Sequence, residues 1–338
     1  MKLKPIHDQV VVVCGASSGM GRQTALEFAR RGAKVVASSR SQEGLDSLVE
    51  QIKEAGGEAI AVVADVSDYP QVKNIVRKAV DRFGRIDTWA HFAATSVYAP
   101  FRETTPEEFQ RVVDVNLLGA AYAAMAALPQ LSRQGGALID ISSIEAEVGH
   151  PNQSAYTASK HGMRGFMDVL RMELKHEGTP VSVTNVMPSG INTPFFNHAR
   201  SKLGMKPRPA SILYQPETVV RAVLHAAQYP MEEIVIGASG GMFILAKRLM
   251  PRLTDAFISW LAYRSRESGP SRPGERRREN IFQPGTADTR IHGDFDKQSH
   301  PTSAYTWLQL HPGVRRTLGG AILAGAATAL LWRSQRGE

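Results

Sequence analysis

The chain has 338 residues, 43% hydrophobic and 21% charged, with 40 Lys and Arg against 32 Asp and Glu for a formal net charge of +8. The lone cysteine, Cys14, excludes an internal disulfide framework and suits a reducing compartment, so a cytoplasmic location is expected. Residues 241–338 hold 15 Lys and Arg against 8 Asp and Glu, a net of +7 that leaves +1 for the first 240 residues. These basic residues follow no aromatic or zinc-ligand pattern, so no nucleic acid partner is expected, and a membrane surface or acidic partner fits better.

In chain order, Met1 to Asp8 is short and polar, with no leader pattern. Val10 to Val13 reads as a strand that enters Gly15-Ala16-Ser17-Ser18-Gly19-Met20-Gly21, and Ala25, Leu26, Phe28 and Ala29 then share one helix face. Strand, glycine turn and helix N-terminus together suit a phosphate, although glycine turns of this kind also occur without a ligand. The second strand, Lys34 to Ser38, ends in Ser39-Arg40-Ser41 with no carboxylate for a ribose 2′-hydroxyl, and Arg40 is available for a 2′-phosphate. NADP(H) is therefore the favoured dinucleotide, with NAD(H) the alternative if Arg40 is an ordinary surface arginine.

Further strand-like runs lie near residues 59–64, 87–92, 136–142, 181–187 and 233–237, alternating with helical patterns. The alternation predicts an α/β fold, a doubly wound parallel seven-stranded Rossmann sheet with helices on both faces, plus a C-terminal extension. Ser143 follows the fifth strand, at the end where ligands gather in such sheets, and its alternative role is to cap a helix. Tyr156 and Lys160 open a helical pattern that runs to about His176. Their i, i+4 spacing puts phenol and ammonium on one face, where the cation is expected to lower the phenol pKa towards the range of a general acid/base. The competing reading is a solvated surface pair.

Gly15 to Gly21, Asp65-Val66, Asn116 in Val115-Asn116-Leu117-Leu118-Gly119, Ser142-Ser143 and the Tyr156/Lys160 pair together resemble the pattern of the short-chain dehydrogenase/reductases over roughly residues 8–240. The resemblance implies an NAD(P)-dependent oxidoreductase with Tyr156 as acid/base. Lys160 would hold the nicotinamide ribose, Ser143 the substrate oxygen, and Asn116 a water linking Lys160 to solvent. Asp65 and Val66 would contact the adenine, with Ala93 and Thr193 also at the cofactor. Two departures stand out: His91-Phe92-Ala93-Ala94 where the family usually has Asn-Asn-Ala-Gly, and Ser189 between Pro188 and Gly190. His91 could partly supply the missing side-chain hydrogen bonds, but reads better as a half-buried structural histidine.

Four regions are expected: a catalytic domain over 1–240, an amphipathic helical segment over 241–263 interrupted at Pro251, a polar linker over 264–311, and an apolar C-terminal helix over 312–338. The second is open between membrane contact, a helix packed on the core and a substrate lid. The uncharged run Thr317 to Trp332, bracketed by Arg315-Arg316 and Arg333, is a candidate membrane anchor or an oligomerisation helix. Phe195, Phe196, His198 and Met205 fall in the expected substrate cover, which points to an apolar alcohol or carbonyl compound; a homo-oligomer is expected separately. A non-catalytic NADP-binding sensor and a membrane-recruited scaffold are the alternatives.

Overall fold

The computed structural model describes residues 1–204, 207, 212–264, 279–284, 288–315 and 317. Its main sheet comprises β1 (Val10–Cys14), β2 (Lys34–Ser39), β3 (Ala59–Val63), β4 (Thr88–His91), β5 (Gly136–Ile141), β6 (Val181–Pro188) and β7 (Glu233–Ile236). The order is β7-β6-β5-β4-β1-β2-β3, with every pairing parallel. Every residue of β1 and β6 is buried, as a parallel sheet covered on both faces requires, which is why β1 reads as an unbroken apolar run, whereas β6 also buries the polar Ser182, Thr184 and Asn185.

The helices are α1 (Gly19–Arg30), α2 (Gln42–Glu54), α3 (Tyr69–Phe83), α4 (Pro106–Val113), α5 (Gly119–Gln134), α6 (Ser154–His176), α7 (Pro216–Ala226), α8 (Ala238–Leu249), α9 (Pro251–Arg264) and α10 (Ala304–Leu310). Phe28 of α1, Leu45 and Leu48 of α2, and Val219 and Val223 of α7 pack on one sheet face. Ile75 of α3, Leu131 of α5, and Met163 and Met167 of α6 pack on the other. Local signals start several helices: Ser41 accepts from the Gly44 amide at 3.2 Å, and Asp68 from that of Gln71 at 3.2 Å. Thr105 and Glu108 exchange side-chain and backbone bonds in a capping box at 3.3 and 2.9 Å. Such a cap is typically worth about 1 kcal/mol.

Between α4 and α5 the helix widens into a π-helical turn, Asp114–Leu118, which carries Asn116 inward. The continuous helical stretch Pro106–Gln134 has the length and apolarity to cross a membrane, yet half of its apolar window is buried, and α5 lies on the sheet as a core helix. Because the chain winds outward on either side of the β1–β4 pair, the ends of those two strands flank the crevice where ligands enter such sheets.

The C-terminal part departs from expectation. Within 264–311 the described residues pack onto the domain rather than forming an extended linker. Ser299–His300 pairs with Leu213–Tyr214, which in turn pairs with Gly190–Ile191 in a small parallel sheet. Gln309 of α10 bonds both the amide and the carbonyl of Val235 on β7, at 3.1 and 2.7 Å. The physical reason is a few apolar anchors: Ile281 and Phe295, buried in otherwise polar stretches, and Leu310 of α10, packed into the core. The helix is interrupted at Met250, and Pro251 opens α9, as the expected interruption there requires. Apart from Thr317, the candidate anchor lies outside the described residues.

Candidate active site

The glycine loop is built by close approach. Gly15 has φ +82, and a Cβ on it would meet the Ala93 amide nitrogen at 2.8 Å, while a Cβ on Gly21 would run into the Gly15 carbonyl. No side chain fits at either position, and the bare backbone thereby forms the wall of a cleft. Gly15, Ser17, Ser18, Gly19, Met20 and Gly21 line its floor at the N-terminus of α1, where amides and helix dipole favour an anion. Ser39, Arg40, Asp65 and Val66 lie at one end, with Ala93 and Thr193 also on the wall. This cradle fits a nicotinamide dinucleotide: apposed glycines for the pyrophosphate and a cationic end for the adenosine.

At that end Asp65 accepts from Ser67 at 2.7 and 3.0 Å and from Arg111 at 2.5 Å, with Arg40 at 4.0 Å. Burial works against the Asp65 charge, but Arg111 and Ser67 hold its carboxyl below the usual carboxylate range. Arg111 was not singled out from the sequence, where it looks like any helix-surface arginine.

The four expected catalytic residues converge from different elements. Ser143 ends the β5 loop, where its Oγ accepts from the Glu145 amide at 3.1 Å, so it does cap a short 3₁₀ turn, Ile144–Ala146. It also faces the Tyr156 phenol closely enough to favour its ionised form, so the two roles are compatible. Tyr156 and Lys160 lie on the first turns of α6, with the ammonium 5.7 Å from the phenol ring centroid and donating to the Ile141 carbonyl at 2.8 Å. Asn116 accepts from the Thr95 amide at 2.8 Å and donates to the Thr95 carbonyl and Ser159 Oγ, each at 3.0 Å. Its side chain thus braces α6 against the loop after β4 and makes no bond to Lys160.

The expected lowering of the phenol pKa is not found here. Burial, followed by the nearby Glu145 carboxyl, pushes Tyr156 above its ordinary value, and the Ser143 hydroxyl only partly offsets them. Lys160, 1% exposed, is itself pulled down to about 8 by burial, with Asp140 and Glu145 pulling it back up. A desolvated ammonium beside carboxylates has less influence on the phenol than a spacing argument assumes.

Behind Lys160 runs a row of polar residues across four strands. Cys14, His91, Asp140 and Asn185 are partners in successive registers of β1, β4, β5 and β6. His91 is 1% exposed rather than half-buried; burial, then Lys160, lowers its pKa to about 3, so it is neutral. Asp140 is raised to about 7 by burial against the pull of Lys160.

A second cavity, of about 1150 Å³ including its mouth, adjoins the cleft, and Met20, Phe92, Ala94, Thr193 and Phe195 border both. Ser143, Tyr156 and Lys160 lie on its wall. The remainder is largely apolar, with Phe196, Phe243, Ile258 and Leu261 prominent, and the Phe195 ring is 6.0 Å from that of Tyr156. The last three of those four come from α8 and α9, whose inner face lines the cavity. Glu145 is the acidic exception; it accepts from Gln153 at 3.0 Å and Thr157 at 2.8 Å. No sequence signal marked it, because only the turn after Ser143 brings it inward. Met205 lies outside the described residues.

A family profile described as short chain dehydrogenase matches residues 9–204. The uncharacterized oxidoreductase YxnA of Bacillus subtilis is 36% identical over 330 residues, covering 97% of this chain and 92% of its own. A short chain dehydrogenase from Mycobacterium paratuberculosis, solved bound to NAD, is 24% identical with a TM-score of 0.62, over 69% of this chain and 98% of its own. An alcohol dehydrogenase from the archaeon Thermococcus sibiricus, solved with 5-hydroxy-NADP, is 24% identical with a TM-score of 0.61, over 68% and 95%. The two solved structures share the fold and reach about two thirds of this chain, whereas the YxnA match takes in its C-terminal extension.

Proposed function

The chain belongs to the short-chain dehydrogenase family of NAD(P)-dependent oxidoreductases, and on that premise we propose that it interconverts a carbonyl and an alcohol on an apolar substrate, with NADP(H) preferred. One observation carries the reading: the Ser143 and Tyr156 hydroxyls, with Lys160 beside them, lie on the wall of a largely apolar cavity that adjoins the glycine-walled cleft through Met20, Phe92, Ala94, Thr193 and Phe195.

The bound dinucleotide would supply or take up a hydride. A substrate oxygen seated between the two hydroxyls receives a hydrogen bond from Ser143 and a proton from Tyr156 as negative charge develops on it. Burial and Glu145 keep the phenol protonated at neutral pH, the form that donates to a carbonyl oxygen. In the reverse direction Tyr156 takes the alcohol proton. Lys160, anchored on the Ile141 carbonyl, has further N–H donors for ribose hydroxyls. Asn116 acts by bracing α6 through Ser159 rather than through contact with Lys160. Gly15 to Gly21 hold the pyrophosphate, Asp65, Val66, Ala93 and Thr193 border the dinucleotide, and Arg40 with Ser39 takes the 2′-phosphate. A screen of apolar ketones and aldehydes with NADPH and NADH in parallel tests the reading, and turnover with neither cofactor would contradict it.

A second reading concerns the outer face of the α8–α9 pair. Leu245 is 58% exposed and Leu253 68%, with Leu249 and Phe257 also exposed, while the inner face lines the cavity. This favours contact with a lipid surface or with a second copy in a homo-oligomer. Sedimentation with anionic vesicles, alongside the oligomeric state in solution, separates the two.

A further inference from the structure

Residues 279–284 and 288–293 cross the open side of the dinucleotide cleft. Asn280, Pro284, Asp288 and Thr289 face the glycine loop and Arg40 across it. The backbone makes the decisive contacts: Arg40 donates through Nη2 to the Asn280 carbonyl and through Nη1 to that of Ile281 at 3.4 Å. The Ile281 carbonyl also accepts from Arg111 Nε at 2.9 Å. Farther along, the Arg290 carbonyl accepts from the Gly19 amide at 2.9 Å, so the segment also meets the N-terminus of α1.

We infer that this C-terminal segment is part of the cofactor site, its main-chain carbonyls holding Arg40 where it reads a 2′-phosphate. The inference rests on the cofactor reading above. Its chemistry lies in the charge count. Arg40 and Arg111 pair with a single carboxylate, Asp65, and Asp288 across the cleft is taken up by Arg290, so one cationic charge of the Arg40–Arg111 pair is left over. A carbonyl fixes a guanidinium without cancelling its charge; a carboxylate in the same place would neutralise the surplus that a phosphate dianion needs. Arg40 keeps further N–H donors for the phosphate beyond those two bonds.

The segment is anchored well enough to act as a fixed wall. Ile281, 1% exposed, is buried with Val97, Ala99, Val112 and Ala155. The Asn280 amide donates to the His198 carbonyl at 3.0 Å, its side-chain oxygen accepts from Thr95 at 3.2 Å, and Glu279 pairs with Arg200 at 2.5 Å. At the far end the Gly293 amide donates to the Asn192 carbonyl at 3.2 Å, and a Cβ on Gly293 would meet the Thr193 carbonyl oxygen at 2.6 Å.

The test is calorimetric binding of NADP⁺ and NAD⁺ to the full-length chain and to Ile281→Ala, Arg40→Ala and the double variant. Ile281→Ala is expected to lower the NADP⁺:NAD⁺ affinity ratio at least fivefold, and to change it no further once Arg40 is alanine, because the segment acts through that side chain. Should Ile281→Ala not fold, as judged by circular dichroism, the isosteric Thr95→Val carries the same expectation at about twofold, since it releases only the Asn280 side chain. Equal weakening of both dinucleotides, the same drop on both backgrounds, or tighter binding of both would overturn the inference. Failure of the natural chain to bind either dinucleotide would instead overturn the cofactor reading, and this inference with it.

Discussion

Asp140→Asn should move the pH dependence of this enzyme without dismantling its site. The carboxyl is buried on β5 and sustains the charge of Lys160, which burial has already drawn down to about 8. Glu145 also supports that charge, while Tyr156 and the neutral His91 face the ammonium and Cys14 faces the carboxyl; none of these is altered. A nearby opposite charge typically moves a pKa by about 1–3 units, and the low end applies where no direct ion pair is formed. One unit corresponds to about 1.4 kcal/mol. At pH 8 the ammonium fraction would then fall from about a half to about a tenth, a roughly fivefold loss, whereas at pH 6 it stays near complete. Asp140 itself, raised to about 7, is mostly protonated at pH 6, so the amide then resembles it closely. The assay is kcat/KM for the dinucleotide from pH 5.5 to 9, with the alkaline limb expected to shift from about pH 8 to about pH 7. A uniform loss at every pH, or an unmoved limb, would refute the reasoning. Stability carries its own sign. A carboxyl whose pKa rises on folding stabilises fully below its unfolded value near 4, and that contribution is lost as pH climbs through about 7. Asp140→Asn should remove this slope from thermal melts between pH 4 and 7.

Gly21→Ala forces a Cβ against the Gly15 carbonyl and should destabilise by about 1–3 kcal/mol while weakening dinucleotide binding; a fully stable variant with unchanged affinity would contradict the close approach. Arg40→Ala should cost NADPH binding about tenfold or more and leave NADH nearly unchanged, which paired titrations would show. Phe243→Ala, on the cavity wall, should raise KM for bulky apolar substrates more than for small ones, and steady-state kinetics with a homologous ketone series would reveal it. Leu245→Asp together with Leu253→Asp should abolish sedimentation with anionic vesicles if the outer face of α8–α9 meets lipid.

Much of the framework was legible because its signals are local. Val10 to Val13 reads as a buried strand from four apolar residues in a row, and Gly15 and Gly21 mark a turn whose backbone must come close to something. The Tyr156/Lys160 spacing places both groups on one face without any tertiary information. What escaped depends on contacts between distant segments. His91 looked half-buried because a four-residue strand does not reveal that Asp140 and Cys14 flank it in register. The phenol pKa was misjudged because a spacing argument counts Lys160 and omits both the burial and the Glu145 carboxyl. Residues 279–311 look like a linker because Ile281-Phe282 and Phe295 are short apolar islands among Gly, Pro and charged residues, and no periodicity announces an anchor that binds across more than a hundred residues. The role of Asn116 towards a water comes from the resemblance, while the three side-chain hydrogen bonds that brace α6 depend on the fold and have no sequence signal.

Tyr156 is the proposed proton donor, and one substitution tests that role. Tyr156→Phe keeps the ring against Phe195 and removes only the hydroxyl that meets Ser143. Using the best substrate from the NADPH screen, turnover should fall by at least about 10²-fold, with NADPH affinity changed less than about threefold because the hydroxyl does not lie on the phosphate side of the cleft. Turnover retained at the natural rate, with NADPH still bound, would contradict the central claim.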